Sequence, residues 1–223
     1  MRFRDALFAE FFGTAFILLA MVGSGIAAAN LAGGNQALLL LANSAATGLA
    51  YVAVTLAFEP VSGAHFNPAY SALMCYHGEL PWRRFLPYVL VQCLGALLGV
   101  MLAQAVFGLP LLQIAERPRA GFGMVFGEFV ATVGLLVINY RIMRTHSTMG
   151  IAFVAGAYVA AARWFTPSTS LANPAVTLSR MFTDTFSGIR PQDVPAFLLA
   201  QVLATVLVIG GFYLIKRVSV LGD

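Results

Sequence analysis

Asn173-Pro174-Ala175-Val176 is the stretch that decides the fold, because it repeats, with a change at its fourth residue, the earlier stretch Asn67-Pro68-Ala69-Tyr70. Asn is favoured as the cap of a helix N-terminus, and Pro fits the first helical position, where no N–H donor is needed. Each stretch therefore predicts a helix start. The apolar sequence that follows lasts about eleven residues in one case and about ten in the other, whereas a membrane span needs roughly 20. We expect two half-length helices.

The composition predicts an integral membrane protein. Of 223 residues, 60% are hydrophobic and 10% are charged, whereas a soluble domain carries roughly 25% charged residues. The formal charge of +4 comes from scattered basic residues, which argues against a nucleic-acid partner because such a surface needs clustered charge. Cys75 and Cys93 both lie in apolar segments, where cysteine packs as a small hydrophobe.

Six apolar segments are long enough to span a bilayer. They are residues 7–29, 37–57, 85–106, 122–142, 149–165 and 195–215. The first is too long for the core of a signal peptide, so we expect it to be retained as a span. An even number of crossings places both termini on one side of the membrane.

The basic residues orient these spans. Eight lie on the side of the termini, at positions 2, 4, 83, 84, 141, 144, 216 and 217, and five lie on the other side, at positions 117, 119, 163, 180 and 190. The positive-inside rule then predicts cytoplasmic termini and a multi-pass protein of the cell (inner) membrane.

The two halves of the chain resemble each other. Glu10 lies in an Ala-Glu-Phe stretch near the start of the first span, and Glu128 lies in a Gly-Glu-Phe stretch of the fourth. We interpret residues 1–223 as one channel domain with a first repeat at about 1–106 and a second at about 121–217. Three spans per repeat invert the second relative to the first. The predicted fold is an all-α membrane protein with six transmembrane helices and two re-entrant half-helices.

Paired half-helices that enter from opposite sides suit a channel for neutral solutes. Their N-termini meet near the bilayer centre, where each helix dipole contributes about half a positive charge that repels cations. The amides of Asn67 and Asn173 can cap their helices and still offer N–H donors to a water or hydroxyl.

These motifs identify a resemblance to the aquaporin family, also called the major intrinsic protein family. The resemblance rests on residues 62–69, on Asn173-Pro174-Ala175, and on the glutamates of spans one and four. It implies a homotetramer of four pores in the lipid bilayer, with no enzymatic activity and no cofactor or metal. It also implies that Glu10, Glu128 and His65 support the two re-entrant loops.

The sequence departs from the family at the selectivity filter. Most members carry an Arg directly after the second Asn-Pro-Ala, where this chain has Val176, and Arg180 lies a helical turn further on. Counting from the two motifs places Thr47, Ala161 and Ser170 at the other filter positions. A slip of one residue would replace Ala161 by another alanine, but a slip of two would bring in Arg163 and change the argument.

A filter of Thr47, Ala161, Ser170 and Val176 should be wide, since it lacks both an Arg and an aromatic ring. We therefore expect water, glycerol-type polyols, urea and neutral metalloid hydroxides such as arsenite or antimonite to pass. Members that lack the Arg resemble a bacterial subgroup linked to arsenic handling. The opposing interpretation is that Arg163 or Trp164 refills the space.

Other functions stay open. A mainly water-conducting pore is the alternative within the channel class, and a closed, adhesive family member is another. A proton-coupled transporter could share the broken helices, although only two scaffold-like glutamates lie in the spans. A membrane-embedded hydrolase is less well supported, because His65, His77 and His146 all lie in or near loops without a partner nucleophile.

Overall fold

The computed structural model describes residues 2–144 and 147–221, with side chains described as far as Arg217; His146 lies outside this range. The helices are α1 (Phe3–Leu31), α2 (Gln36–Ser62), α3 (Pro68–His77), α4 (Trp82–Val106), α5 (Phe122–Met143), α6 (Thr148–Phe165), α7 (Pro174–Ser179) and α8 (Val194–Leu221). Two 3₁₀ turns, Arg180–Phe182 and Pro191–Asp193, lie between α7 and α8.

Six of these helices are long and apolar enough to cross a membrane, namely α1, α2, α4, α5, α6 and α8. The predicted all-α class and the six spans are confirmed. Most of the helices extend past the apolar segments, because a helix continues into polar residues at the membrane surface. At the start of α1, for example, the Asp5 carboxylate accepts a bond from the Arg2 N–H at 3.3 Å, and negative charge in the first turn favours a helix.

Because the six long helices alternate in direction, the molecule has two faces. The face that carries both chain ends and the α3–α4 and α5–α6 connections is called the terminal face. The opposite face, with residues 32–35, 107–121 and 183–193, is called the distal face.

The two short helices lie between the long ones. Helix α3 has ten residues, and α7 has six before the 3₁₀ turn continues it, so α3 is only about 15 Å long. Both pack against α4 and α8 and contact each other. Both are preceded by an Asn N-cap and begin with Pro, as the motifs predict.

Helices α1 and α4 approach closely at two glycines. A Cβ atom on Gly95 would lie 2.2 Å from the Phe11 carbonyl oxygen, and one on Gly99 would lie 2.3 Å from that of Ala15. Small residues allow this kind of backbone contact between membrane helices. The contact fixes α1, and with it Glu10, against the rest of the first half.

Candidate pore

The two Asn side chains act as helix caps in the structure. The Asn67 Oδ1 atom accepts a bond from the Ala69 N–H at 2.9 Å. The Asn173 Oδ1 atom accepts from the Ala175 N–H at 3.0 Å and from that of Val176 at 3.4 Å. Pro68 and Pro174 occupy the first helical positions without loss of a backbone bond.

Each Asn also reaches across to the other loop. The Asn67 Nδ2 atom donates to the Ala172 carbonyl at 2.8 Å, and the Asn173 Nδ2 atom donates to the Phe66 carbonyl at 2.7 Å. An amide nitrogen carries two hydrogens, so each Asn has a second N–H, and that of Asn173 lies within hydrogen-bonding reach of the Tyr51 side chain. The reciprocal bonds hold the N-termini of α3 and α7 together.

Glu10 holds the loop before α3. One carboxylate oxygen accepts bonds from the Ser62 hydroxyl (2.6 Å) and the His65 N–H (2.9 Å). The other accepts from the Phe66 N–H (2.7 Å) and the Gln92 side chain (2.8 Å). Four donors on a carboxyl that is 0% exposed satisfy both oxygens, which explains how α1 can carry this group inside the protein.

Glu128 holds the loop before α7 in the same way. Its oxygens accept bonds from the N–H groups of Leu171, at 3.1 Å, and Ala172, and from the Gln201 side chain at 2.8 Å. Gln201 also donates to the Thr177 hydroxyl. The two glutamates therefore lie where the resemblance implies, at the backs of the two loops.

Sequence reasoning missed Gln92 and Gln201. Both are fully buried, and both bridge a glutamate to a hydroxyl on the neighbouring short helix. A signal was present, since each is a polar residue in an apolar span at an equivalent place in the two halves.

The loops share an unusual backbone. Ala64 and Phe66 have positive φ angles of 48° and 49°, and the equivalent Ser170 and Ala172 have φ angles of 45° and 46°. A non-glycine residue in this region costs about 1–2 kcal/mol. The bonds to Glu10 and Glu128 offset that cost.

His65 joins the support of the first loop. Its Nδ1 atom lies 3.0 Å from the Ser71 hydroxyl, and its ring packs against Tyr70 and Tyr88. It also lines a narrow cavity with Tyr51 and Asn67 on the terminal side of the two Asn residues. This cavity has a volume of about 30 Å³, which is room for about two waters.

Helix α6 faces this cavity through Ile151, Ala155 and Val159. Continuing that row by one turn reaches Arg163, which is 1% exposed. The opposite, outward-facing row consists of Met149, Phe153, Ala157 and Ala161. Ala161 therefore lies on the outward-facing row, whereas Ala162 and Arg163 are buried. The assignment of Ala161 to the filter stays a prediction, and Arg163 is the residue that the count reaches with a slip of two.

The other three predicted filter residues are buried together on the distal side. Thr47 and Val176 are 0% exposed and Ser170 is 4% exposed. Val176 packs in an apolar cluster with Ile17 and Phe197 among others. Thr47 and Val176 thus line no described cavity, and the width of the filter stays a prediction.

Three arginines occupy this distal region. Arg163 donates to the Asn43 side chain of α2 at 2.5 Å, and Asn43 lies one turn before Thr47. Arg180 donates to the Ser187 carbonyl. Arg119, in the α4–α5 loop, donates to the Ser168 carbonyl at 2.6 Å. Burial lowers the pKa of Arg119 to about 9, which leaves it protonated at neutral pH.

Known proteins resemble this chain in sequence and fold. The model of the major intrinsic protein family matches residues 1–150. Aquaglyceroporin AqpS of Rhizobium meliloti (strain 1021) is 44% identical over 198 residues, which are 89% of this chain and 84% of that protein. Aquaporin Z of Brucella melitensis biotype 1 is 31% identical over 146 residues, which are 60% of this chain and 63% of that protein.

The fold is similar to that in the X-ray structure of the aquaglyceroporin from Plasmodium falciparum. The TM-score is 0.70 at 19% identity, and the match covers 94% of this chain and 95% of that one. The family model covers more than half of this chain, and the relative from Rhizobium meliloti aligns along most of its length. The chain therefore belongs to the major intrinsic protein family.

Proposed function

We propose that the chain is a passive channel for water and small uncharged hydroxylated solutes. The observation that carries this proposal is the reciprocal bonding of Asn67 and Asn173, which holds two side-chain amides at the meeting point of two helix N-termini. Amide donors that have no carboxylate bonded to them among the described residues favour a neutral molecule with lone pairs, such as water or an alcohol.

Positive charge supports the exclusion of cations. Each half-helix contributes about half a positive charge at its N-terminus, and Arg119, Arg163 and Arg180 lie buried on the distal side. Because Val176 replaces the family's Arg, the sequence predicts that ion exclusion rests mainly on the two half-helix dipoles and on the cost of desolvating an ion in an apolar pore. The position of Arg163 supplies a second barrier, so we expect no cation or proton current through the wild-type channel.

The solute class we propose is glycerol-type polyols, with urea and neutral metalloid hydroxides such as arsenite or antimonite. Two observations support it. A similar protein is named as an aquaglyceroporin, and Val176 leaves an apolar wall where most family members carry an Arg. The placement in the arsenic-linked subgroup rests on this departure.

A mainly water-conducting pore is the second candidate. It is favoured by the burial of Thr47 and Val176 and by the Arg163 side chain, which bridges α6 and α2. A narrow, donor-rich constriction of this kind admits water more easily than a three-carbon polyol.

Reconstitution distinguishes these candidates. We would measure water, glycerol and urea flux by stopped-flow light scattering in proteoliposomes, and the uptake of arsenous acid in the same vesicles. The first proposal requires flux of water and glycerol above that of empty vesicles. High water flux without glycerol flux would select the second candidate, and accumulation driven by a proton gradient would indicate a transporter. No flux of any solute through folded protein would favour the adhesive role.

The variant Asn173→Asp tests the donor pair. Asp keeps the oxygen that caps α7 but has no N–H to offer, and it adds negative charge to the barrier. We expect glycerol flux to fall at least tenfold and a cation current to appear. Arg117→Gln, in an exposed position of the distal face, is the control and should leave both measurements unchanged.

We further propose a homotetramer in the cell (inner) membrane with cytoplasmic termini. Of the five basic residues on the distal side, Arg119, Arg163 and Arg180 are buried, which leaves two to be counted as loop charges against eight on the terminal side. The charge difference that sets orientation is therefore larger than the sequence count suggested. The mass of the purified protein in detergent and protease access to the C-terminus in oriented vesicles test these two points.

A further inference from the structure

The three buried arginines of the distal side form one connected cluster. Arg119 and Arg180 both bind the segment 186–188. Arg119 donates to the Phe186 carbonyl at 3.2 Å and to that of Gly188 at 2.7 Å, and Arg180 donates to the Ser187 carbonyl. The Ser187 hydroxyl and the Asn43 amide both donate to the Met21 carbonyl, so Arg163, bound to Asn43, lies against the same segment.

The three guanidiniums differ in how many of their donors are used. Arg119 uses all three nitrogens, on the carbonyls of residues 168, 186 and 188 and on the Thr169 hydroxyl. Within residues 2–144 and 147–217, Arg163 uses one N–H, and its Nε and Nη2 atoms have no partner there. In the same part of the chain, Arg180 uses only its Nε atom, and neither Nη atom has a partner. Arg119 is therefore a positioning residue, whereas Arg163 and Arg180 have donors to spare.

No carboxylate is bonded to Arg163 or Arg180 among the residues that the structure describes. Glu128 is the carboxylate that stabilises their charge from a distance, and its oxygens are already bonded to the second loop and to Gln201. Both arginines are at most 1% exposed. A buried charge without a partner costs several kcal/mol, so the two side chains favour a ligand that brings negative oxygen atoms.

We propose that Arg163 and Arg180, whose spare donors are buried in the distal half, form a binding site for a small oxyanion. The guanidinium fork matches the spacing of two oxygens of one anion and bonds them in parallel. Arg163 is bonded to Asn43, which lies one turn of α2 from Thr47, so we expect an anion held there to obstruct the path of a neutral solute. The inhibition of flux rests on the proposed channel function, but the binding itself does not.

Binding is tested first, without any flux measurement. The full chain in detergent would be titrated with sodium phosphate, with sodium chloride at equal ionic strength as the reference, and followed by its thermal unfolding. A ligand of the folded state raises the unfolding temperature in a saturable way. We expect phosphate to do so in the wild type, with binding at least tenfold weaker in Arg163→Gln and in Arg180→Gln. Arg83→Gln, in an exposed position of the terminal face, should bind as the wild type does.

Arg163→Lys covers the case in which a glutamine variant does not fold, because Lys keeps the charge and loses the fork. We expect weaker but measurable binding in this variant. Equal effects of phosphate and chloride on the wild type would mean that water fills the site and would overturn the proposal. Phosphate binding that survives in both glutamine variants would place the anion elsewhere and would also overturn it.

Flux provides the second measurement. Phosphate on both sides of the proteoliposome membrane should reduce glycerol flux in the wild type, and the reduction should be lost in Arg163→Gln. A wild-type protein that binds phosphate but carries no glycerol would contradict the proposed function and leave the oxyanion site standing. A wild-type protein that carries glycerol but does not bind phosphate would support the proposed function and contradict the oxyanion site.

Discussion

The two re-entrant loops have the same framework and different surroundings. In each, the serine five residues before the Asn receives a bond at its carbonyl oxygen. The donor is the Tyr88 hydroxyl for Ser62, at 3.0 Å, and the Arg119 guanidinium for Ser168, at 2.6 Å. The first loop thus borders a small cavity with a neutral donor behind it, whereas the second is held by a buried cation.

This difference separates architecture from selectivity. The glutamates, glutamines, Asn caps and left-handed residues occur in both halves, so they build the two half-helices and bring their N-termini together. Among the side chains that the structure describes, the buried arginines all lie in the distal half. Whatever distinguishes this channel from its relatives is therefore expected on the distal side, and changes in the framework should cost stability in either half.

The largest effect is expected from Glu10→Gln compared with Glu128→Gln. Each oxygen of Glu10 accepts from two donors. The NH2 group of a glutamine cannot accept a hydrogen bond, so in either orientation of the side chain it would face two donors and leave both without an acceptor. In Glu128→Gln the nitrogen can face the Leu171 N–H alone. We expect losses of about 3–5 kcal/mol in the free energy of unfolding for Glu10→Gln and about 1–3 kcal/mol for Glu128→Gln.

Unfolding in mixed micelles with increasing SDS measures both losses on the full chain. The ordering of the two variants is the sharper test, since both glutamates are equally buried. A Glu10→Gln protein as stable as the wild type would mean that the carboxyl is protonated and already donates a bond, which contradicts the four donors assigned to it.

The second effect concerns helix packing in the two halves. Gly99 lies seven residues after Gln92, and the equivalent residue after Gln201 is Val208. A Cβ on Gly99 would lie 2.3 Å from a backbone oxygen of α1, whereas Val208 is accommodated and 5% exposed. We expect Gly99→Ala to cost about 1–3 kcal/mol by overpacking.

Val208→Ala is the matched variant of the other half and should cost about 1.5 kcal/mol, from two buried methyl groups. The same unfolding measurement serves both. If Gly99→Ala leaves the free energy of unfolding unchanged, α1 and α4 can move apart without loss of stability, which would contradict the close packing inferred for the first half. An unchanged stability in Val208→Ala would instead show that this side chain contributes no packing.

The framework could be predicted from sequence because its causes are local. An Asn-Pro pair begins a helix wherever it lies, and apolar length counts spans without regard to tertiary structure. The bonds of Glu10 and Glu128 to backbone N–H groups were implied by family resemblance. Gln92 and Gln201 escaped notice because one glutamine in an apolar span does not reveal which carboxylate it meets.

The filter could not be predicted because it depends on which side of α6 each residue occupies. Counting twelve residues back from Asn173 assumes a connection of standard length, and a change of two residues rotates the helix by about 200°. A shift of this size would exchange the outward-facing Ala161 for the buried Arg163 at the filter. The burial of Arg119 and Arg180 also depends on the fold of residues 183–193, which no motif in the sequence predicts.

The smallest effect compares the hydroxyls that the two glutamines bind. Ser71 accepts from Gln92 and also partners the His65 ring, whereas Thr177 accepts from Gln201 and has Leu171 at the position equivalent to His65. The Thr177 hydroxyl also donates to the Asn173 carbonyl at 3.0 Å, but a bond to the carbonyl one turn back in the same helix does not add to helix stability. Thr177→Val should therefore cost about 1 kcal/mol and Ser71→Ala about 2 kcal/mol, because a lost hydrogen bond costs about 1 kcal/mol. Ser71→Ala combined with His65→Phe isolates the additional bond. We expect the double variant to lose less than the sum of its single variants, and strict additivity would show that His65 supports the loop through its neighbouring aromatic rings alone.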